Sequence, residues 1–97
     1  MTKQERKVMQ FISAIRMILD GMNVNGLDIT SLMVIILAQD DIALIEPDES
    51  KRIMIANMAI DEIKQGKSPV LEYDEKHNGI RKRKLDGVKV RIIKNPS

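Results

Sequence analysis

The sequence has no cysteine, no tryptophan and only two aromatic residues, Phe11 and Tyr73. Without cysteine the chain has no disulfide, no thiolate metal site and no cysteine nucleophile, and we expect it to suit a reducing cytoplasm. With so few aromatic residues, the core must be built from Ile, Leu, Val and the seven Met residues. Such a core packs softly, because the unbranched Met side chain adapts to its surroundings.

Motifs that carry catalytic chemistry are also missing. His77 is the single histidine and stands beside an expected turn, and the sequence contains neither a glycine-rich phosphate loop nor a serine in a nucleophile elbow. Carboxylates occur as adjacent pairs, but adjacent residues on a helix do not face each other. These features predict a protein that is not an enzyme and that uses no metal and no cofactor.

No stretch of the sequence is long enough to predict a membrane span. The longest apolar run, residues 32–38, has seven residues, whereas a bilayer requires roughly 20. Ser13 and Arg16 interrupt the apolar residues that follow the N-terminus, which argues against a secretory signal. From its length of 97 residues, we expect one domain, residues 1–97.

Hydrophobic periodicity predicts helices over residues 4–22 and 47–65. In both segments apolar residues recur every three or four positions, as in helices that bury one face. The cluster from Asn23 to Gly26 and, later, Gly66 are expected to end these helices, because Gly and Asn tolerate the left-handed cap conformation.

The uncharged run at 32–38 is ambiguous, since it also suits a buried strand. Asp28 or Thr30 before the run is a good N-cap, so we favour a helix over residues 29–39. With no polar face, this segment is expected to be covered on every side.

Asp40 and Asp41 are unfavourable at the negative end of a helix dipole, which predicts that the helix ends before them. Residues 42–47 are then expected to form a short apolar link.

After Pro69 the hydrophobic period changes from 3.6 to 2, which is typical of strands. Strands are predicted at residues 70–74, 80–85 and 88–92, joined by turns at Asn78-Gly79 and Asp86-Gly87. The sequence therefore predicts an α+β fold, in which a three-helix N-terminal bundle over residues 4–65 precedes a basic β-hairpin or three-stranded meander over residues 69–93.

The net charge of +2 conceals an asymmetry. Residues 1–75 hold eight Lys/Arg and thirteen Asp/Glu, whereas residues 76–97 hold eight Lys/Arg and one Asp. Cations on a solvated strand face are suited to phosphate contacts, and four such contacts give a slope of log K against log salt of about −3.6. The candidate nucleic-acid-binding residues are Arg81, Lys82, Arg83, Lys84, Lys89 and Arg91.

Other interpretations of the basic segment stay open. Glu72, Asp74 and Glu75 can pair with these cations across the sheet, strand lysines can deter edge aggregation, and an acidic protein is another possible partner. The order of helices and hairpin also allows a winged helix, but the helix that would read the groove, residues 47–65, exposes more acid than base.

The sequence therefore predicts a non-catalytic regulatory or adaptor protein whose basic hairpin engages an anionic partner, with nucleic-acid backbone as the first candidate. The alternative is a protein-interaction module without nucleic-acid binding, such as a small phage-type or mobile-element inhibitor. In that case helix faces would bind another protein or form a homodimer, with Met9, Met17 and Met54 at the edge of the core.

Overall fold

The computed structural model of the chain describes residues 1–83. Its elements are α1 (Lys3–Gly21), β1 (Leu27–Asp28), α2 (Ile29–Leu37), α3 (Asp40–Ile45), α4 (Glu49–Lys64), β2 (Leu71–Asp74) and β3 (Gly79–Lys82). A helical part precedes a hairpin, so the predicted α+β fold is confirmed. Among the described helices, none combines the length and apolar character needed to cross a membrane.

Local side-chain caps define the ends of α1 and α4. At the start of α1, the Thr2 hydroxyl accepts from the Glu5 N–H and the Glu5 carboxylate accepts from the Thr2 N–H, which forms a capping box. At the start of α4, the Asp48 carboxylate accepts from the N–H groups of the first turn. Both helices end on a residue of positive φ, Asn23 after α1 and Gly66 after α4, as predicted for these residue types.

Residues 42–47 are not the expected link, because Asp40–Ile45 forms the separate helix α3. Helix α2 ends at Leu37, before Asp40 and Asp41 as predicted, and these two residues begin α3, where their carboxylates lie at the positive end of the helix dipole. The new helix buries Ile42 completely. The described residues thus contain four helices rather than three.

The third strand of the described sheet is β1, which precedes α2 in the chain. The strand order is β1-β3-β2, and β1 pairs antiparallel with β3 through Leu27 opposite Ile80 and Asp28 opposite Gly79. The expected turn at Asp86-Gly87 and the expected strand at residues 88–92 lie outside the described residues.

The expected two-residue turn at Asn78-Gly79 is a four-residue loop over residues 75–78. Asn78 adopts positive φ (50°), but Gly79 belongs to β3 and pairs with Asp74 on one side and Asp28 on the other. A Cβ atom at Gly79 would lie 3.0 Å from the carbonyl oxygen of Leu27. Glycine is therefore needed here for the close approach of β1 and not for turn formation.

One aliphatic cluster forms the core and joins the helices to the sheet. Its fully buried large side chains are Phe11, Ile15, Leu19, Leu32, Ile36, Ile42, Ile63, Leu71 and Ile80. The expected complete burial of residues 32–38 is wrong, because Val34 is 66% exposed. Because successive helix residues are rotated by about 100°, Val34 projects from a different side of α2 than the buried Leu32 and Ile36. The elements that pack against α2 therefore cover only one side of it.

Gly79→Ala is expected to lower the free energy of unfolding by about 1–3 kcal/mol, because the added methyl group crowds the backbone of β1. Chemical denaturation measures the change. Gly26→Ala is the matched control, since a Cβ there meets its nearest atom, the Arg81 Cβ, at 3.4 Å. Equal stability of the two variants would contradict the role assigned to Gly79.

Candidate functional site

Three of the six candidate basic residues lie in the described part of the chain, and Lys84, Lys89 and Arg91 lie outside it. Arg81 is directly opposite Glu72 in the sheet, and its Nε lies 3.4 Å from the Glu72 Oε1. Its Nη1 lies 3.9 Å from the Asp74 Oδ2. The cross-strand pairing that the sequence left open is therefore present at Arg81.

Lys82 points to the other side of the strand, as its alternation with Arg81 predicted. Its Nζ lies 2.8 Å from the Oδ1 of Asp20 in α1, so this cation ties the hairpin to the first helix. Arg83 is exposed and forms no ion pair with another described residue, while its backbone N–H donates to the Val70 carbonyl. Arg81, Lys82 and Arg83 together border an open recess of about 440 Å³.

Asp74, which faces Arg81, has a lowered pKa. The Nδ1 of His77 lies 2.7 Å from the Asp74 Oδ2, and this hydrogen bond is the main reason that the pKa of Asp74 is lowered from 3.8. The positive charge of Arg81 lowers the same pKa further. Since Asp74 remains a carboxylate at neutral pH, it competes with any external anion for Arg81.

In the described residues, the short strand after the first helix pairs beside the later hairpin, an arrangement that bears on the winged-helix interpretation of the sequence. The helix that would enter a DNA groove is α4. Its exposed large apolar side chains are Ile53 (42%), Met54 (48%) and Met58 (36%), and Asp61 is exposed on the same helix. Base edges are read by hydrogen-bonding side chains, which the three apolar residues lack, and a carboxylate is repelled by DNA phosphates, so α4 is poorly suited to that use.

A concave surface lies on the helical side of the described residues, between α1 and the junction of α2 with α3. This groove has a volume of about 510 Å³. Its lining includes Met17, Ile18, Met22, Ile35, Gln39 and Asp41. Met17 is 66% exposed and Met22 is 47% exposed, so their flexible side chains border the groove and remain accessible.

A second apolar strip on α1 supplies one wall of the groove. Ala14, Met17 and Ile18 recur at steps of three and four beside the buried strip that contains Ile15 and Leu19. From the sequence, Met17 was expected at the edge of the core, but the groove itself was missed. Its opposite wall comes from α2, and no periodicity within α1 reveals which segment packs alongside it.

A buried carboxylate fixes α1 relative to the end of α3. Glu46 is only 6% exposed, and its Oε1 lies 2.7 Å from the Nζ of Lys7 in α1. Its other oxygen accepts from the Asp48 N–H, while its backbone carbonyl accepts from Arg52 in α4. The hydrogen bond from Lys7, followed by that from Asp48, lowers the pKa of Glu46 from its ordinary 4.5.

Comparison of the chain with protein-family models, curated proteins and solved structures gives no match. Within residues 1–83, no group of three or more His, Cys, Asp or Glu side chains is placed to hold a metal ion. The candidate sites are the groove and the recess bordered by Arg81, Lys82 and Arg83.

Glu46→Gln is expected to lower the melting temperature at pH 7, because the amide loses the charge-assisted bond from Lys7. With a lowered folded pKa, the stabilising contribution is complete above 4.5 and is lost as the pH falls through the folded value. Calorimetry between about pH 3 and pH 8 should therefore show the two proteins converging in acid.

Glu75→Gln is the control for this series, because it removes a carboxylate from an exposed loop position. Its melting temperature should follow that of the unmodified protein at every pH. A difference between Glu46→Gln and the unmodified protein that persists unchanged to pH 3 would show that packing, and not the ionised contact with Lys7, is responsible.

Proposed function

We propose that this chain is a small, non-catalytic, cytoplasmic adaptor or regulatory protein that docks another protein in the groove between α1 and the α2–α3 junction. The observation that carries the proposal is the pair of accessible Met side chains, Met17 and Met22, beside Ile35 in a concave, largely apolar surface. Contiguous apolar surface on a small protein is typical of a binding site.

The residue types at the groove support this function. Met side chains adapt to partners of different shape, because three rotatable bonds and a polarizable sulfur let them repack. The outer face of α4, with Ile53, Met54 and Met58, adds a further apolar surface. Binding at these faces would remove from water apolar area that the chain's own core leaves accessible.

The contacts of the basic segment with carboxylates weaken the case for nucleic-acid binding. Two of the three described candidate residues, Arg81 and Lys82, already contact carboxylates of the same chain. Contact with an external anion would have to displace Glu72, Asp74 or Asp20. For this reason we place the protein-interaction function ahead of the nucleic-acid function that the charge pattern first suggested.

Photocrosslinking tests the groove. Benzoylphenylalanine placed at Met17 is expected to yield a covalent adduct with a second protein in extract of the source cells, because that side chain borders the groove. The matched control carries the same group at Val34, which is equally exposed at 66% but does not line the groove.

Three results are distinguishable on a denaturing gel. An adduct of new mass from position 17 alone supports docking of a different protein. An adduct of twice the chain mass from position 17 alone would assign the groove to a homodimer. Identical adducts from positions 17 and 34, or none from either, would remove the groove from consideration.

Contact with nucleic-acid backbone is the second candidate function. The observation that favours it is the recess bordered by Arg81, Lys82 and Arg83, in a sequence region that holds half of the chain's Lys/Arg residues. Surface ion pairs of this kind contribute only about 0–1 kcal/mol, so phosphates can exchange with the carboxylates. Contacts of this kind to phosphates would not discriminate between base sequences.

Replacing Arg81, Lys82, Arg83 and Lys84 by Gln is expected to weaken duplex DNA binding equally for unrelated sequences. The salt slope should fall by up to about 3.6, because each lost phosphate contact removes about 0.9. Gel-shift titrations at two salt concentrations measure both effects.

A control variant carries Gln at four exposed lysines elsewhere, Lys3, Lys51, Lys67 and Lys76, and changes net charge equally. Equal losses in the two variants would indicate a general charge effect without a site. Absence of binding by the folded protein at low salt would exclude this second function.

A further inference from the structure

We infer that the segment seated in the groove is a basic amphipathic helix of the partner protein, an inference that rests on the proposed docking function. The groove combines an apolar lining with a negative end. Each feature restricts the chemistry of the occupant.

Negative charge at the groove comes first from α3. Asp41 lines the groove, and Asp40 precedes it in the same first turn. Among the described residues that line the groove, none is Lys or Arg. Neither carboxylate forms an ion pair with a cation of the described part of the chain.

The dipole of α1 adds to this negative charge, whereas the negative end of α2 is offset by the positive end of α3, which begins beside it. Gly21 and Met22 bring the C-terminal end of α1 to the groove. A helix C-terminus carries roughly half a negative charge. The last turn of α1 contains no basic residue that would offset it.

Nearby cations of the described chain are directed elsewhere. Arg16 projects roughly 200° around α1 from Ala14, which lines the groove. Lys7 is held by Glu46, and Lys82 is held by Asp20. The Asp41 carboxylate and the C-terminal end of α1 are therefore available to a cationic partner.

The walls of the groove favour a helix over an extended strand as the occupant. Strand addition requires an open sheet edge with free backbone groups, whereas α1 and α2 satisfy theirs largely within each helix. A groove lined by Met and Ile side chains instead accepts apolar side chains at helical spacing. A volume of about 510 Å³ accommodates a few such side chains, with Lys or Arg directed towards Asp41.

Two synthetic 18-residue peptides test the inference by fluorescence anisotropy with the full chain. Both carry Leu at positions spaced three and four apart, and one carries Lys at all other positions while the other carries Glu. The Lys peptide is expected to bind at least about tenfold more tightly, because only it complements the negative end of the groove.

Variants assign the binding to the groove. Met17→Gln, which changes no charge, should weaken the Lys peptide about tenfold, as expected for loss of a central apolar contact. Val34→Gln is its matched control and should leave the affinity unchanged. Asp41→Asn should weaken the Lys peptide about threefold, and Asp61→Asn on α4 should not.

The outcomes separate the two proposals. Equal affinity for both peptides, with Met17→Gln weakening each, would overturn the basic helix and leave groove docking intact. Binding of the Lys peptide that Met17→Gln and Val34→Gln affect equally would overturn both. Failure of the Lys peptide to bind at about 100 µM, or self-association of the chain that excludes it, would overturn the basic helix, and crosslinking at position 17 would still decide docking.

Discussion

The pairing of β1 with β3 is the constraint on which the arrangement of the described residues depends. Only two residues, Leu27 and Asp28, are involved, yet they connect the chain before α2 to the hairpin that follows α4. Asp28 also caps α2 by accepting from the Ser31 N–H, and the Ile29 N–H donates to the Asn78 carbonyl. The direction in which α2 leaves the sheet is thus set at this pairing.

The same arrangement brings cations of the basic C-terminal segment into contact with carboxylates of the acidic part of the chain. Because the hairpin is held against the helical part, Lys82 reaches Asp20, while Arg81 remains beside Glu72 and Asp74. Arg81 thus pairs with carboxylates of the preceding strand, whereas Lys82 contacts a carboxylate that is distant along the chain. A cationic sequence segment therefore carries less free positive charge than its composition suggests.

Incomplete covering of the short helix α2 produces the groove. Leu32 and Ile36 enter the core, whereas Ile35 is left partly exposed between α1 and α3. The contact between Lys7 and Glu46 fixes the position of α1 relative to the end of α3. The groove is apolar surface of α1 and α2 that the core of this small fold leaves uncovered.

The sequence by itself determined the α+β class, the three longer helices, the hairpin and the aliphatic character of the core, because helix periodicity, caps and strand alternation are local signals. The expectation that Met residues help to build the core is largely wrong, since no Met side chain is among the buried core residues. The sequence also indicated correctly that α2 ends before Asp40 and Asp41, and missed that these residues begin α3. Tertiary structure alone decided the strand partner of β1, the role of Gly79, the contact of Lys82 with Asp20, and the groove. Each of these depends on segments that are distant along the chain, and no pattern within one segment specifies its neighbour.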